Sequence, residues 1–293
     1  MKNFVSIDIG GTAIKYGIIN EEGMIISREE QPTEAYKGGP FILEKVIQIA
    51  ENFCRSEDIS GICISTAGVV DTKKGEIIHS APLIPKYTGI NFKEALEKRC
   101  SIPCEVENDV NCAGLAEYVS GAAKGSRISL MLTIGTGIGG SLVVDGEVFH
   151  GISGSACEVG YMHMNGSDFQ TLGAASILTR KVAEWKGETS DKWDGRRVFE
   201  EAKNGDELCN KAIDEMCDIL GMGIANICYV LNPEVVVLGG GIMAQEQFLR
   251  SRIEEAVKKY LLPGIAAHTS ITFAKHRNDA GMLGAFYHFK NQR

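Results

Sequence analysis

The chain has 293 residues, a length that at ~150 residues per domain favours two domains. Its residues are 44% hydrophobic and 23% charged, which supports a packed core and argues against intrinsic disorder. The 30 basic and 38 acidic residues give a formal net charge of −8, the wrong sign for a general nucleic-acid binder.

Targeting and redox patterns favour a cytoplasmic protein without nucleic-acid or membrane partners. No run reaches the ~18–20 uncharged apolar residues of a membrane span, and the first residues lack the apolar core and cleavage site of a signal peptide. The nine cysteines are scattered and odd in number, so we expect reduced thiols. The one close pair, Cys100 and Cys104, lacks the second pair of a zinc site.

Strand and helix patterns alternate along most of the chain. Apolar runs bounded by turns predict strands at 4–9, 13–19, 24–29, 60–65, 105–107, 128–134, 141–149, 234–238 and 270–274. Helical spacing of apolar residues predicts helices at 41–53, 110–119, 207–231, 248–261 and 280–290. This alternation predicts an α/β fold with largely buried sheets.

An internal repeat is the most informative feature. The segments that begin at Asp8 and Thr133, 125 residues apart, each combine a strand ending in a polar residue, a glycine-rich turn and a hairpin strand. A repeat of this length favours duplicated halves over a solenoid, whose period is ~20–50 residues. We therefore expect two glycine turns that approach one ligand from opposite sides of a cleft.

Three glycine runs that directly follow apolar strands point to phosphate binding. Without a Cβ, backbone N–H groups can approach an anion closely, although a single run is more often only a tight turn. The spacing fits neither a P-loop nor a dinucleotide fingerprint. Asp8 is a candidate Mg²⁺ partner through water or phosphate. The other candidate nucleotide-binding residues are Gly10, Gly11, Thr12 and Lys15, then Thr133, Gly135, Thr136, Gly137 and Gly139, and finally Gly239, Gly240 and Gly241.

Acidic residues at two places could serve a hydroxyl substrate. Asp109 follows a predicted strand and either caps the next helix or accepts a proton as a phosphoryl group is transferred. Asn108 offers a donor and an acceptor suited to a polyol. Glu158 lies in a glycine-rich loop, where a solvated surface carboxylate is the alternative.

Taken together, these motifs resemble the ROK family of sugar kinases, within the actin-like ATPase superfamily. Residues 8–12 and 133–140 resemble its two phosphate motifs, 107–113 its E-N-D-x-N-x-A segment, 238–241 its adenosine-side motif, and 278–285 its closing helix. The resemblance implies a two-lobed actin-like, ribonuclease H-like α/β fold with a cleft between the lobes, and Asp109 as the base. It implies ATP and Mg²⁺ as cofactors and a homodimer. We expect one lobe at 1–117, completed by 279–293, and a larger one at 118–278.

Departures from the family pattern bear on the substrate. Glu158 of the family's E-x-G-H motif is present, but Tyr161 stands where the family has His, and the following segment has no cysteine. Since a four-coordinate zinc site needs those thiolates, we expect no zinc. Gly68, without the proline that often precedes it, should present its backbone to the sugar.

The sequence motifs around Glu158 and at 276–281 are most similar to those of the β-glucoside kinase branch. Members of this branch phosphorylate the 6-hydroxyl of a glucosyl unit in β-glucosides such as cellobiose. An aromatic Tyr161 could stack on a sugar ring or simply pack. Glucose and N-acetylmannosamine stay open as alternative substrates. A sugar-sensing transcriptional regulator is disfavoured because only seven residues precede Asp8, and an actin-type binding module is disfavoured by Asn108 and Asp109.

Overall fold

The structure is a computed structural model that describes residues 2–80 and 83–293. These residues form two compact units. The first contains the described residues up to Ser120, together with Gly146–Ala156 and Asn278–Arg293. The second contains Gly121–Asp145 and Cys157–Arg277. Residues 118–120 and 146–156, which the predicted boundary assigned to the second lobe, thus belong to the first unit.

Fourteen strands are found in the described part of the chain. In chain order they are β1 Asn3–Ile9, β2 Ala13–Asn20, β3 Glu29–Pro32, β4 Ile59–Thr66, β5 Val69–Asp71, β6 Glu76–His79, β7 Cys104–Asn108, β8 Ile128–Ile134, β9 Ile138–Val144, β10 Glu147–Val148, β11 His163–Met164, β12 Ser167–Asp168, β13 Val235–Gly239 and β14 Ser270–Phe273.

Ten α-helices accompany these strands over the same described ranges. They are α1 Gly39–Ser56, α2 Phe92–Cys100, α3 Asp109–Ser120, α4 Phe169–Gly173, α5 Ala175–Lys186, α6 Gly195–Lys203, α7 Glu207–Leu231, α8 Glu246–Tyr260, α9 Pro263–Ala266 and α10 Ala280–Asn291. None of the helices in 2–80 and 83–293 is both long and apolar enough to cross a membrane.

The sheet of the first unit has the order β3-β2-β1-β4-β7. Strands β1 and β2 form an antiparallel hairpin, whereas β1, β4 and β7 run parallel. Fully buried Ile7, Ile62 and Val106 lie on these parallel strands, and α1 adds Ile42 and Val46 to the same core. Burial on both faces explains the largely apolar sequences of β1 and β4, whereas β7 also buries Glu105 and Glu107.

The second unit repeats this arrangement. An antiparallel β8–β9 hairpin is followed by β13 and β14, which run parallel to β8 in the order β9-β8-β13-β14. Helix α7 supplies a long buried face, and Asp206 caps its first turn by accepting a hydrogen bond from the Cys209 N–H at 2.9 Å. The shared strand order confirms the duplicated α/β architecture that the repeat predicted.

One predicted strand, at 24–29, was wrong. Its pairing is interrupted because the N–H groups of Ile26 and Ser27 both donate to the carbonyl of Ile18. The Ser27 hydroxyl oxygen in turn accepts a hydrogen bond from the Ile18 N–H. Regular pairing resumes only at β3, in which Glu29 lies opposite Tyr16. Ile26, within the predicted strand, is 58% exposed.

Candidate active site

In the first unit, three parallel strands end at one edge of the sheet and carry the predicted catalytic residues there. The register pairs Asp8 of β1 with Ser65 of β4, and Ser65 with Glu107 of β7. Thr66 is paired in turn with Asn108. Because the carboxyl ends of adjacent parallel strands coincide, Asp8, Ser65 and the Asn108–Asp109 pair lie at one place.

Asp109 is the first residue of α3 and has a strongly perturbed carboxyl group. Its Oδ1 accepts hydrogen bonds from the Val110 N–H at 2.9 Å and from Asn108 Nδ2 at 3.0 Å. Burial, and secondly the negative charge of Asp8, raise the pKa of Asp109 to about 7. Both of these hydrogen bonds are accepted by Oδ1. Because its pKa is about 7, this carboxyl group can exchange a proton near neutral pH.

Asn108 organises the end of the strand and the start of the helix. Its Oδ1 accepts from the N–H groups of Val110 and Asn111 at 2.9 and 3.0 Å, which caps α3. Its Nδ2 donates to the Gly68 carbonyl at 2.9 Å as well as to Asp109. The capping role that the sequence allowed for Asp109 is therefore filled by Asn108, and a direct contact between Asn108 and a sugar stays a prediction.

The Asp8 carboxylate has two neighbours that stabilise its charged form, Ser65 and Lys15. Its Oδ1 accepts from the Ser65 hydroxyl at 2.7 Å, and Lys15 lies opposite it on β2. Burial nevertheless outweighs both and raises the pKa of Asp8. Helix α10 passes close by, since a Cβ at Gly281 would lie 2.3 Å from Asp8 Cγ. Because these two neighbours do not offset the cost of burying its charge, the Asp8 carboxylate would be stabilised by a hard cation. Its oxygen donors are of the kind that Mg²⁺ prefers.

The first glycine turn joins β1 to β2 beside Asp8. The Gly10 N–H bonds to the Ala13 carbonyl at 3.0 Å, and the Gly10 carbonyl accepts from the Thr33 hydroxyl at 2.6 Å. Gly11 and Thr12 are exposed at its tip. These two hydrogen bonds of Gly10 fix the turn, while its tip at Gly11 and Thr12 stays accessible.

The second unit brings the other two glycine runs together. Thr133 at the end of β8 pairs with Gly239 at the end of β13, so the turn at 135–137 and the run at 239–241 start side by side. The Gly135 N–H bonds to the Gly137 carbonyl at 2.9 Å. Gly240 has a φ of +100°, and a Cβ there would lie 2.2 Å from the Ile134 carbonyl oxygen, so only glycine fits.

A cavity of about 370 Å³ opens beside these runs, entirely within the second unit. Its lining combines glycine backbone, apolar side chains and a few polar groups, as is typical of a small-molecule site. The lining residues are Ile134, Gly135, Ala175, Asp194, Gly195, Arg196, Phe199, Gly241, Ile242 and Gln245. Thr136 and Gly139 lie in the same β8–β9 region, and the Thr136 carbonyl accepts from the Ser176 hydroxyl at 2.7 Å.

Glu158 and Tyr161 also belong to the second unit. Glu158 directly precedes a short 3₁₀ turn, Val159–Tyr161, and Tyr161 ends it, with the Tyr161 N–H donating to the Glu158 carbonyl at 3.2 Å. Glu158 is exposed, and Tyr161 is 61% exposed. The aromatic ring is therefore available for stacking, and its contact with a sugar stays a prediction.

Sequence reasoning missed several residues of these sites. Ser65 had no assigned role, although it is the hydrogen-bond donor to Asp8. Arg196 and Gln245 line the cavity but belong to no glycine motif. Ser65 could have been found from strand register, since it directly precedes the end of a buried parallel strand. Arg196 and Gln245 had no local signal.

Comparison with known proteins places this geometry in a family. The ROK family model matches residues 4–292. The β-glucoside kinase of Listeria monocytogenes is 32% identical over 292 residues, covering 97% of this chain and 96% of that protein. A ROK family protein from Streptococcus pneumoniae, solved in complex with sucrose, is 30% identical with a TM-score of 0.88, covering 99% of this chain and 98% of that one.

A third relative shares the fold at lower identity. The ROK family glucokinase from Streptomyces griseus, solved with glucose and AMPPNP, has a TM-score of 0.84 at 24% identity and covers 97% of both chains. With a family model that spans almost the whole chain, and with sugar kinases among its relatives, this protein belongs to the ROK family and is one of its sugar kinases.

Proposed function

We propose that this protein transfers the γ-phosphoryl group of ATP to the 6-hydroxyl of the glucosyl unit of β-glucosides such as cellobiose. The observation that carries the proposal is the buried Asp109 carboxylate, whose pKa is raised to about 7 and which is oriented by Asn108. A group with this pKa is half ionised at neutral pH, which suits a general base for an alcohol.

The first unit supplies the acceptor side of the reaction. Asp109 takes the proton of the sugar hydroxyl as its oxygen attacks the γ-phosphorus, the bond from that phosphorus to the bridging oxygen breaks, and ADP leaves. The Gly68 loop, tied to Asn108 by a 2.9 Å hydrogen bond, contributes backbone to the sugar. Closure that excludes water would keep water from acting as the acceptor.

The second unit supplies the nucleotide side. The 370 Å³ cavity beside Gly135 and Gly241 has the size and the mixed lining of a nucleoside site. The backbone N–H groups of the glycine turns are suited to phosphate oxygens, as is the turn at 10–12 in the first unit. Asp8 would hold Mg²⁺ through water or phosphate, and the bound ion supplies charge neutralisation on the phosphate oxygens.

Two observations favour a β-glucoside over a free hexose as the substrate. The chain is 32% identical to a β-glucoside kinase over almost the whole length of both proteins. Tyr161 presents an exposed ring next to Glu158, and the hairpin β11–β12 that follows has no cysteine that could hold zinc. We propose that Glu158 and Tyr161 bind the sugar towards its anomeric end.

A substrate comparison tests this assignment. The purified protein is incubated with ATP, Mg²⁺ and, in turn, cellobiose, gentiobiose, glucose and N-acetylmannosamine, and ADP release is followed by a coupled assay. We expect the highest kcat/KM with the disaccharides, and phosphorus NMR should locate the phosphate on the 6-oxygen of the non-reducing glucosyl unit. EDTA should abolish turnover.

Other outcomes separate the alternatives. Glucose as the best substrate would support a glucokinase, an activity of the Streptomyces griseus relative, and would overturn the β-glucoside assignment alone. Preference for N-acetylmannosamine would overturn it in the same way. ADP release from none of the four sugars would count against the proposed kinase reaction with these acceptors.

A further inference from the structure

A buried carboxylate next to the proposed base has partners that the reaction does not use. Glu107 lies near the end of β7, directly before Asn108 and Asp109, and its side chain is 1% exposed. Its Oε2 lies 2.6 Å from His150 Nε2 and 3.5 Å from His288 Nδ1. All these residues belong to the first unit.

The other oxygen of Glu107 connects it to the catalytic segment. Oε1 accepts from the Asn108 N–H at 2.7 Å and from Asn111 Nδ2 at 3.0 Å. Asn108 in turn caps α3 and donates to Asp109. Three hydrogen bonds, by way of Glu107 and Asn108, therefore connect the His150 imidazole to the carboxylate of Asp109.

Protonated His150 compensates the buried charge of Glu107. Burial raises the pKa of Glu107, but the hydrogen bond with His150 and the charges of both histidines more than offset it and leave that pKa lowered. The same hydrogen bond raises the pKa of His150, although burial opposes it. Burial lowers the pKa of His288, whose Nε2 has no partner among the described residues, although the charge of Glu107 opposes that shift.

His150 also lies in a segment that belongs to a different unit from the residues on either side of it in sequence. Residues 146–156 are part of the first unit, although the residues on either side of them belong to the second. Glu158 follows two residues after this segment. The His150–Glu107 pair therefore fixes the segment that leads to a proposed sugar-binding residue against the strand that carries the proposed base.

We propose that His150 is a positioning residue of the kinase reaction, and that its pairing with Glu107 holds the Asn108–Asp109 segment in its productive conformation. This inference rests on the proposed role of Asp109. A neutral imidazole still donates a hydrogen bond but no longer offsets the Glu107 charge, and a buried carboxylate without compensation is costly. Activity should therefore fall as the pH rises through the pKa of His150.

Other charged residues lie near this cluster, and their signs are consistent with an activity that falls as the pH rises. Glu147 on β10 adds a negative charge that stabilises protonated His150. Glu105, which is near His288, is neutralised by Lys93 Nζ at 2.7 Å and by Arg293 at 3.0 Å. His150 is thus the histidine of this cluster whose pKa is raised, whereas the pKa of His288 is lowered.

Two substitutions of His150 test the proposal by charge. His150→Gln keeps a hydrogen-bond donor without the charge, and we expect kcat to fall by about 10- to 100-fold, the range for a misplaced catalytic group, with the KM for ATP unchanged. His150→Arg keeps a permanent charge and should retain most of kcat while abolishing the alkaline decline of the pH profile. His268→Gln, at an exposed histidine of the second unit, is the control and should match the wild type.

The possible results separate this inference from the proposed function. Wild-type kinetics and an unchanged pH profile in His150→Gln would overturn the inference, while the activity itself would stand. If both variants fail to fold, histidine NMR titration and the pH profile of the wild type decide. A histidine that titrates above the ordinary value of 6.5, together with an alkaline decline at the same pH, supports the proposal, and a flat alkaline profile overturns it.

Discussion

At the scale of single residues, Asp109 combines a catalytic assignment with a cost in stability. A carboxyl group with its pKa raised to about 7 resists ionisation in the folded state, whereas in the unfolded chain it ionises near 3.8. The folded state is therefore destabilised progressively as the pH rises from about 4 to 7, by up to about 4 kcal/mol. The position is one at which function and stability conflict.

Replacing Asp109 with Asn should separate these two effects. We expect turnover to fall by about two to four orders of magnitude, because no group then accepts the proton. The free energy of unfolding at pH 8, measured by urea denaturation, should rise, because the amide carries no charge. Asp191→Asn, at an exposed aspartate, is the matched control and should change neither quantity. Near wild-type turnover in Asp109→Asn would remove this residue from the role of base.

The pH dependence of the reaction follows from the same carboxyl group. Since the base must be ionised, the acid side of the kcat/KM profile for the sugar should rise with pH with a midpoint at about pH 7, the pKa of Asp109, before the alkaline decline expected from His150. Rates measured between pH 5.5 and 8 at saturating ATP provide the check. A profile that is already level between pH 5.5 and 8 would contradict a base with a pKa of about 7.

At the scale of elements, the first unit depends on close contact between α3 and α10. The two helices meet at Gly284, where a Cβ would lie 1.8 Å from the Cys112 carbonyl oxygen. α10 also touches the sheet, since the Ser6 hydroxyl donates to the Met282 carbonyl at 2.7 Å. The last helix of the chain therefore supports both the helix that carries Asp109 and the strand that carries Asp8.

Gly284→Ala should consequently be destabilising, although alanine favours helices. The helical preference would contribute about 1 kcal/mol in favour of alanine, but the clash forces α10 away from α3, and overpacking of this kind costs about 1–3 kcal/mol or more. Thermal unfolding measures the difference. Gly264→Ala, at an α9 position with open space around it, is the control and should leave stability unchanged or slightly raised. Equal stability of the two variants would show that α10 is free to shift.

At the scale of the whole molecule, the proposed nucleoside site lies in the second unit and the proposed base in the first, and hydrogen–deuterium exchange can test this assignment. A non-hydrolysable ATP analogue should slow exchange at 135–140 and 239–245 in the second unit, because ligand binding opposes local opening. A non-reacting cellobiose analogue should instead slow exchange at 66–68 and 107–111 in the first. Residues 246–260 are the internal control. Protection of 239–245 by the sugar alone would contradict the assignment.

Much of this architecture was accessible from the chain alone, because its determinants are local. A buried strand that ends in Asp8 or in Asn108–Asp109, and glycine directly after a strand, are patterns that depend on neighbouring residues and on the periodicity of apolar side chains. The repeat between Asp8 and Thr133 predicted two halves of equal topology, and α7 lies at the predicted 207–231. The strand predicted at 24–29 failed because two N–H groups compete for the carbonyl of Ile18, which no periodicity reveals.

The electrostatic environment, by contrast, depends on residues that are far apart in sequence. His150 is 43 residues from Glu107, and the nearby His288 comes from the last helix. Neither histidine has a local pattern that marks it, and the pKa of Asp109 depends on burial and on Asp8 a hundred residues earlier. Burial and the distance between charges arise only when separate elements pack together. The tertiary fold therefore sets the pKa of Asp109, which its position at the end of a strand had marked only as a candidate base.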